Sequence, residues 1–391
     1  MIQKTHKLYD ADSYLFRFFA TVLSCEKTDK GYAIILDRTA FFPEGGGQYA
    51  DTGTLGGQGV LDVQIHNGII THFVNSPLAP ETTVEGLIDA PVRRGRMQLH
   101  TGEHILSGIA NRRFGCDNVG FHLTDKWCTI DWNRVLTRDD LDAVEKEANL
   151  IISQNLPVRT WYPDAEEIRS ISYRSKLELD DDIRIVEIPG VDCCACCAPH
   201  VSHTGEVGII KILDFQHYKG GIRLYATAGR SSLEDYRERY LADLEVSNLL
   251  NAPQNELPLA VSRHLEIENE LRKDIGALRL QIINLICEQK KAEPDNSPCL
   301  VVLLPFSDMN ALRALVNKLM AIHHKPVCGL FTTGDETFSY ILGAEGRPLS
   351  LMARTIHEKL GGRGGGSDAM IQGSFKASYE NIKTVLNTVF A

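Results

Sequence analysis

The stretch RMQLHTGEHILSGI, residues 96–109, organises the middle of this chain. It contains two histidines, His100 and His104, that stand four positions apart. On a helix, residues at that spacing lie on one face. The stretch therefore predicts a helix that presents both imidazole rings to one metal ion.

A second metal-binding pattern, VDCCACCAPHVSHTGEVG, follows at residues 191–208. Cys196 and His200 repeat the four-residue spacing, and a thiolate ligand favours zinc over magnesium or calcium. Two imidazoles, one thiolate and a third imidazole suit a tetrahedral ion. The two patterns together predict that His100, His104, Cys196 and His200 bind Zn²⁺.

Other ligand sets stay open on the residues alone. Cys193 with Cys196, and Cys194 with Cys197, form C-x-x-C pairs, so a structural zinc site made mostly of cysteines is an alternative. His203 is a further candidate ligand. A purely cysteine site would leave both histidines of the first pattern unused.

The first pattern also reads H-x-x-E-H, a peptidase signature in which the glutamate, here Glu103, acts as general base. That arrangement takes a downstream glutamate as its third ligand, whereas this chain offers a Cys/His motif. Glu103 is therefore a candidate partner of the metal ligands, and the simpler interpretation makes it an ordinary carboxylate on the helix surface.

A glycine motif, TAFFPEGGGQ at residues 39–48, lies upstream. Gly45, Gly46 and Gly47 allow backbone N–H groups to approach a ligand closely, which makes a concavity for an anion or a carbonyl group. Gln48 can both donate and accept hydrogen bonds. The structural alternative is a glycine turn that joins two strands.

Composition indicates several domains and reduced thiols. Of the 391 residues 43% are apolar and 24% charged, and the net charge is −10. No apolar run approaches the roughly 20 residues of a membrane helix, and no secretory signal is recognisable. Four of ten cysteines fall within five positions, which favours one metal cluster in a cytoplasmic protein over disulfides. Because the chain is acidic, nucleic acid would have to bind local basic patches.

The patterning predicts an α+β multidomain protein in four parts. Residues 1–90 have strand patterns and glycine-rich turns, which predict a small β-barrel. Residues 91–228 predict an α+β domain that holds both metal patterns. Residues 229–295 predict a helical spacer or coiled coil, either within the chain or at a dimer seam. Residues 296–391 alternate strands and helices, so we expect a small α/β domain.

Three motifs carry a family resemblance. TAFFPEGGGQYADTG, HTGEHILSG and a C-x-x-x-H pattern followed by TGEVG occur in that order within residues 1–228. Together they resemble the editing domain of alanyl-tRNA synthetases, and still more closely the free-standing alanyl-tRNA editing proteins of the AlaX type. GGRGGGSDAMIQGSF at residues 361–375 resembles the DHHA1 domain that ends the same synthetases. The long AlaX class therefore fits best.

The resemblance implies a zinc-dependent hydrolase that removes a wrong amino acid, serine and possibly glycine, from alanine tRNA. Thr39 would contact the serine hydroxyl, while Gln48 and the Gly45–Gly47 backbone would hold the aminoacyl group or the terminal ribose. The resemblance also implies that the C-terminal domain binds tRNA. The alternative from another class is a non-catalytic, zinc-containing RNA-binding module.

The C-terminal glycine motif supplies the candidate tRNA contacts. They are Arg363 and the backbone N–H groups of Gly364, Gly365 and Gly366, which suit phosphate. The structural alternative is a flexible loop between a helix and a strand. A homodimer through the helical or C-terminal region is a further expectation.

Overall fold

The protein is described by a computed structural model that covers residues 4–175, 183–293 and 295–391. Helices combine with several separate sheets, so the α+β multidomain class is confirmed at that level. The chain forms two compact units that divide between Glu245 and Val246. The finer division into four domains stays a prediction. Among the described helices, none combines the length and apolar character that crossing a membrane requires.

The first unit begins with a closed barrel of six strands. Its elements are β1 (His6–Lys7), α1 (Leu8–Ala11), β2 (Arg17–Thr28), β3 (Gly31–Leu36), β4 (Arg38–Thr39), β5 (Gly53–Leu55), β6 (Gln58–His66), β7 (Ile69–Val74) and β8 (Thr83–Ile88). The barrel order is β2-β3-β7-β6-β5-β8, and β1 and β4 form a separate parallel pair. Asn67 and Gly68 both have positive φ, as a two-residue hairpin turn between β6 and β7 requires.

A histidine lies in the barrel core. His72 on β7 is fully buried, and its Nε2 lies 2.8 Å from the Thr39 hydroxyl while its Nδ1 lies 3.3 Å from the Ile34 carbonyl oxygen. The Phe41 N–H donates to the same hydroxyl at 3.1 Å. Because burial disfavours the charged imidazolium, the pKa of His72 falls to about 4.

We expect the first unit to lose stability as the pH falls from about 7 to about 5. The unfolded chain takes up a proton at His72 near its ordinary pKa of 6.5, whereas the folded chain resists protonation until about 4. Protons therefore favour unfolding, and the free energy of unfolding should fall by about 2 kcal/mol. All three tryptophans lie in the first unit, so tryptophan fluorescence during urea unfolding measures this unit selectively.

A His72→Gln variant should lose this part of the pH dependence. His66→Gln is the matched control, because His66 is exposed at the end of β6. The prediction is wrong if the wild-type protein and His72→Gln show the same slope of unfolding free energy against pH.

The helix that carries the two histidines is α2 (Ala90–Phe114). It begins after Asp89, whose side chain accepts a hydrogen bond from the Val92 N–H, and it ends at Gly115 with φ 61°. Nearly every residue from 96 to 110 is buried. The helix is thus enclosed by the unit rather than lying on its surface.

Two sheets and a helix enclose α2. The elements are β9 (Asn118–Leu123), β10 (Cys128–Trp132), α3 (Arg138–Gln154), β11 (Arg159–Trp161), α4 (Glu167–Ser170), β12 (Ile185–Ile188), β13 (Asp192–Ala195), a 3₁₀ turn (Thr204–Val207), β14 (Ile210–Tyr218) and β15 (Gly221–Ala228). The strands form the sheets β14-β15-β10-β9 and β11-β12-β13, with antiparallel neighbours throughout. Thr137 caps the start of α3, since the side chains of Thr137 and Asp140 each accept a hydrogen bond from the other residue's backbone N–H.

A buried ion pair joins α2 to the barrel. Arg93 and Asp51 are both fully buried, and the guanidinium donates to both carboxylate oxygens. Arg93 also donates to the Ala40 carbonyl at 2.6 Å, and Asp51 accepts from the Phe42 N–H at 2.6 Å. These bonds hold residues 40–51, which include the glycine motif, against α2.

The residues predicted as a helical region contain α5 (Arg230–Leu250), a 3₁₀ turn (Gln254–Glu256) and α6 (Leu257–Ala292). The predicted coiled-coil seam consists of apolar side chains that alternate at four- and three-residue spacing on α6. Four of them, Leu271, Ile275, Leu278 and Leu285, are between 47% and 64% exposed, and the fifth, Ile282, is half-buried. An exposed apolar stripe of this kind is compatible with a coiled-coil partner.

The second unit ends in a five-stranded sheet with three helices. The elements are β16 (Leu300–Leu303), α7 (Met309–His323), β17 (Val327–Gly334), β18 (Thr337–Gly343), α8 (Leu349–Leu360), β19 (Arg363–Gly366), β20 (Met370–Lys376) and α9 (Tyr379–Phe390). The strand order is β16-β17-β18-β20-β19. Strands and helices alternate in this part of the chain.

Candidate metal centre

Four side chains from two distant sequence patterns meet at one point in the first unit. His100 and His104 lie on α2, while Cys196 and His200 follow β13. The Cys196 sulfur lies 3.4 Å from His200 Nε2 and 3.6 Å from His100 Nε2. One donor atom from each of the four residues lies within 4.8 Å of all the others.

The separations suit a tetrahedral zinc ion. Zn–N bonds of about 2.1 Å and Zn–S bonds of about 2.3 Å, set at the tetrahedral angle, place nitrogen and sulfur about 3.6 Å apart. The two observed distances, 3.4 and 3.6 Å, lie close to that value. The four residues can therefore hold a metal ion.

Each histidine of the cluster is oriented through its other ring nitrogen. The Nδ1 pairs are His100 with the Gln48 side-chain oxygen at 2.9 Å, His104 with an Asp192 oxygen at 2.8 Å and His200 with the Thr101 hydroxyl at 3.0 Å. Partners of this kind select the tautomer that leaves Nε2 for a metal ion. The orientation of all three rings thus agrees with the donor distances.

Asp192 is a site residue that the sequence patterns did not reveal. Besides His104, it accepts two hydrogen bonds from Arg174, at 2.7 and 2.9 Å. Burial alone would raise the pKa of Asp192, but the hydrogen bonds and charges of His104 and Arg174 hold it below its ordinary value. Gly108 permits this approach, since a Cβ there would lie 2.5 Å from the Val191 carbonyl oxygen. The sequence feature that could have indicated this close approach is Gly108, four residues after His104.

Burial also sets the protonation of two cluster residues. The pKa of His200 lies well below its ordinary value, because burial and the neighbouring His104 and His100 disfavour the imidazolium. Burial raises the pKa of the Cys196 thiol. A bound cation opposes that rise, since the thiolate is the metal-ligand form.

The other candidate ligands are not members of the four-residue cluster. Cys194 belongs to a second group of potential donors, with His104 and Asp192. Neither group in the described ranges contains two cysteines, so the arrangement does not favour a mostly cysteine site. His203 is exposed, and its Nδ1 lies 3.0 Å from the Ser202 hydroxyl.

Glu103 lies inside the unit, so the interpretation as a carboxylate on the helix surface is wrong. It is 2% exposed, and one of its oxygens accepts hydrogen bonds from Ser107 at 2.7 Å and from Asn118. Its other oxygen lies 3.9 Å from His104 Nε2. Within the described chain, the donors that join the H-x-x-E-H histidines come from the Cys/His motif rather than from a glutamate.

The glycine motif forms a tight turn beside the cluster. Gly45 and Gln48 exchange backbone hydrogen bonds of 3.1 and 3.0 Å, and Gly46 and Gly47 have φ values of 61° and 81°. A Cβ at Gly47 would overlap the Phe121 carbonyl oxygen, so the position requires glycine. The N–H groups of Gly46 and Gly47 donate to no atom of the described residues, whereas that of Gly45 is occupied. Two of the three predicted N–H donors thus have no partner in the described part of the chain.

Of the two predicted substrate-binding side chains, Gln48 contacts the metal cluster and Thr39 does not. Gln48 is buried and contacts the ligand His100, while its amide nitrogen has no hydrogen-bond partner among the described residues. Thr39 is buried in the barrel, where its hydroxyl bonds with His72 and the Phe41 N–H. The structure does not bring that hydroxyl to the cluster, and its contact with serine stays a prediction.

A cavity of about 410 Å³ opens beside the cluster. Its walls include the histidines of α2 with Cys196, and also the turn residues Gly46 and Gly47. Burial raises the pKa of the Cys197 thiol, another wall residue, while the positive charges of Arg184 and Lys7 oppose that rise. Both cations therefore act within this cavity, whose volume suits a small ligand.

The C-terminal glycine motif forms a strand rather than a loop. Arg363 and residues 364–366 make up β19, an exposed edge strand paired with β20. The three glycines line a cavity of about 480 Å³ together with Arg354 and His357. Arg363 is not among the residues that line this cavity within the described part of the unit.

Known proteins share these features of sequence. The family model "Threonyl and Alanyl tRNA synthetase second additional domain" matches residues 183–225, and the model "tRNA synthetases class II (A)" matches residues 11–92. An alanine–tRNA ligase of Methanococcus maripaludis is 28% identical over 401 residues, which is 99% of this chain but 44% of the ligase. The C-Ala domain of Aquifex aeolicus alanyl-tRNA synthetase shares 17% identity, covering 25% of this chain and 97% of that domain. Its TM-score of 0.23 supports no conclusion.

The alanyl-tRNA editing protein AlaX-L of Pyrococcus horikoshii matches the chain over nearly its whole length. The two are 30% identical over 395 residues, and the match covers 96% of each chain. This protein belongs to the family of alanyl-tRNA editing proteins.

Proposed function

We propose that this protein hydrolyses the ester that joins a wrong amino acid, serine or glycine, to alanine tRNA. The observation that carries the proposal is that three of the four metal-ligand side chains, His100, His104 and Cys196, lie in the wall of one cavity. The same wall contains Gly46 and Gly47, whose N–H groups have no partner among the described residues. Membership of the alanyl-tRNA editing family supports the choice of substrate. A cytoplasmic location belongs to the same proposal.

His100, His104, Cys196 and His200 would hold the proposed zinc ion. Zinc bound there would supply positive charge beside the ester and favour ionisation of a nearby water molecule. One thiolate and three imidazoles match the softness of zinc better than that of magnesium or calcium. The hydrogen bond from His100 also fixes the Gln48 amide, whose buried nitrogen has no hydrogen-bond partner among the described residues.

The glycine turn would act on the ester itself. Hydrolysis forms a bond between the water oxygen and the acyl carbon and breaks the bond from that carbon to the ribose oxygen, which takes up a proton. Negative charge develops on the carbonyl oxygen during this step. The N–H groups of Gly46 and Gly47 are held by the turn in the cavity wall and can donate to that oxygen.

Two further roles complete the proposal. β19 would bind the tRNA backbone through Arg363 and residues 364–366, and the exposed apolar stripe of α6 would form a homodimer seam. Loss of selectivity for tRNA after Arg363→Ala would support binding of the tRNA backbone by β19. Light scattering tests the homodimer seam, because a monomer at all concentrations would exclude it.

The decisive experiment compares alanine tRNA carrying serine, glycine or alanine. With bound zinc measured, we expect the seryl ester to be hydrolysed at least about 100-fold faster than the alanyl ester. A site that forms a hydrogen bond with a substrate hydroxyl strongly disfavours a substrate that lacks this hydroxyl. Binding of tRNA without selective hydrolysis would support the non-catalytic RNA-binding alternative. Cleavage of peptides in place of the ester would support the peptidase alternative.

A further inference from the structure

The N-terminal segment that carries Lys7 is fixed to the barrel at both ends. The Thr5 N–H donates to the Gly68 carbonyl at 2.9 Å, and the Thr5 hydroxyl accepts from the Ile70 N–H at 3.0 Å. On the other side, Tyr9 is 3% exposed. Lys7 itself pairs with β4 in the strand β1. The backbone at Lys7 is therefore held in place, and its side chain starts from a defined point.

Lys7 lines the cavity beside the metal cluster, as does one other cation, Arg184. Arg184 is engaged by protein groups: it donates to the carbonyls of Cys196 and Ala198 at 3.1 and 2.9 Å, and it lies 3.7 Å from an Asp10 oxygen. The Lys7 ammonium has no acidic partner within residues 4–175, 183–293 and 295–391. Of the two cavity-lining cations in the described chain, Lys7 is thus the one whose charge is not engaged by an acidic group of the protein.

We propose that the Lys7 ammonium binds the phosphate on the 5′ side of the terminal adenosine of the tRNA. This inference rests on the proposed function, because it places the aminoacyl ester of that same nucleotide at the metal cluster. The phosphate is attached to the ribose that bears the ester, so both groups enter one cavity together. A lysine ammonium is a suitable point charge for phosphate.

The assignment divides the substrate between separate groups of the protein. The free N–H groups of Gly46 and Gly47 serve the acyl carbonyl, whereas Lys7 serves the phosphate. A substrate without the phosphate should therefore keep its contacts at the turn and lose only the contact at Lys7. This separation allows the Lys7 contact to be measured alone.

The experiment uses the zinc-loaded full chain and two small substrates. One is the 3′-seryl ester of adenosine, and the other is the same ester of adenosine 5′-monophosphate. The variants are Lys7→Gln, Lys7→Arg as the charge-conserving change and Lys27→Gln as the matched control, because Lys27 is exposed on the barrel strand β2. The rate of ester loss gives kcat/KM for each pair.

We expect Lys7→Gln to lower kcat/KM about tenfold for the ester that carries phosphate and less than about twofold for the ester without it. Lys7→Arg should restore most of the difference, and Lys27→Gln should behave as wild type. An equal effect of Lys7→Gln on both substrates, or none on either, would overturn the phosphate contact. If the wild-type protein cleaves neither ester nor seryl-tRNA, the proposed function itself fails, which is a separate result.

Discussion

A His104→Ala variant should contain almost no zinc and should deacylate seryl-tRNA at least about 100-fold more slowly than wild type. His104 supplies one of four donor atoms that lie within 4.8 Å of one another, and alanine offers none. The change also leaves the buried Asp192 carboxylate without the hydrogen bond it accepts from His104 at 2.8 Å. Metal analysis of the purified protein and the tRNA assay measure the two losses.

His217→Ala is the matched control for this prediction, because His217 is exposed on β14 and belongs to neither group of potential metal ligands. Asp192→Asn gives a graded test. It keeps the shape of the side chain but weakens the support of His104, so metal affinity should fall by about 10- to 100-fold. Full zinc content and full activity in His104→Ala would refute the proposed ligand set. Tryptophan fluorescence checks that each variant is folded.

Local spacing predicts part of the site because a helix repeats every three to four residues. His100 and His104 needed only that periodicity to be placed together. Two of the groups that orient the rings, Asp192 beside His104 and Thr101 beside His200, could not be found in this way. Asp192 reaches His104 across 88 residues of sequence, and its approach depends on how β13 packs against α2 at Gly108.

The sequence patterns also do not show which side chains of a helix or strand are buried. Glu103 reads as a surface carboxylate if α2 is a surface helix, but every residue of α2 from 99 to 110 is buried. Thr39 adjoins the glycine motif in sequence, yet its hydroxyl bonds with His72 in the barrel core. Strand register decides this, because successive strand residues face opposite sides.

The C-terminal motif illustrates a third limit. Strands are recognised by alternating apolar side chains, and a run of glycines has none to show. β19 nevertheless forms, because its backbone pairs with β20 and small residues tolerate the close contact: a Cβ at Gly364 or Gly373 would overlap the opposite strand. Backbone pairing of this kind leaves no signal in a hydrophobic pattern.

The second large effect is expected at the buried pair of Arg93 and Asp51. Arg93→Ala removes every hydrogen bond that the guanidinium makes and leaves the fully buried Asp51 carboxylate without its countercharge. Removing one partner of a buried ion pair typically costs about 3–5 kcal/mol of unfolding free energy. Urea unfolding followed by tryptophan fluorescence measures this loss in the first unit.

Arg94→Ala is the matched control, because Arg94 is the next residue on the same helix but is exposed, with its guanidinium 5.3 Å from the Phe16 ring. We expect that change to cost less than about 1 kcal/mol. If Arg93→Ala costs no more than Arg94→Ala, the pair does not join α2 to the barrel.

The same pair should matter to activity through position rather than through contact with substrate. Arg93 holds the Ala40 carbonyl and the Asp51 carboxylate, which are the two ends of the segment that contains the glycine turn and Gln48. Under conditions in which Arg93→Ala remains folded, we therefore expect seryl-tRNA deacylation to fall. The four metal ligands lie outside that segment, so the zinc content should not change. Loss of zinc and activity in equal measure would instead indicate that α2 itself is displaced, and the positioning role of Arg93 would then be wrong.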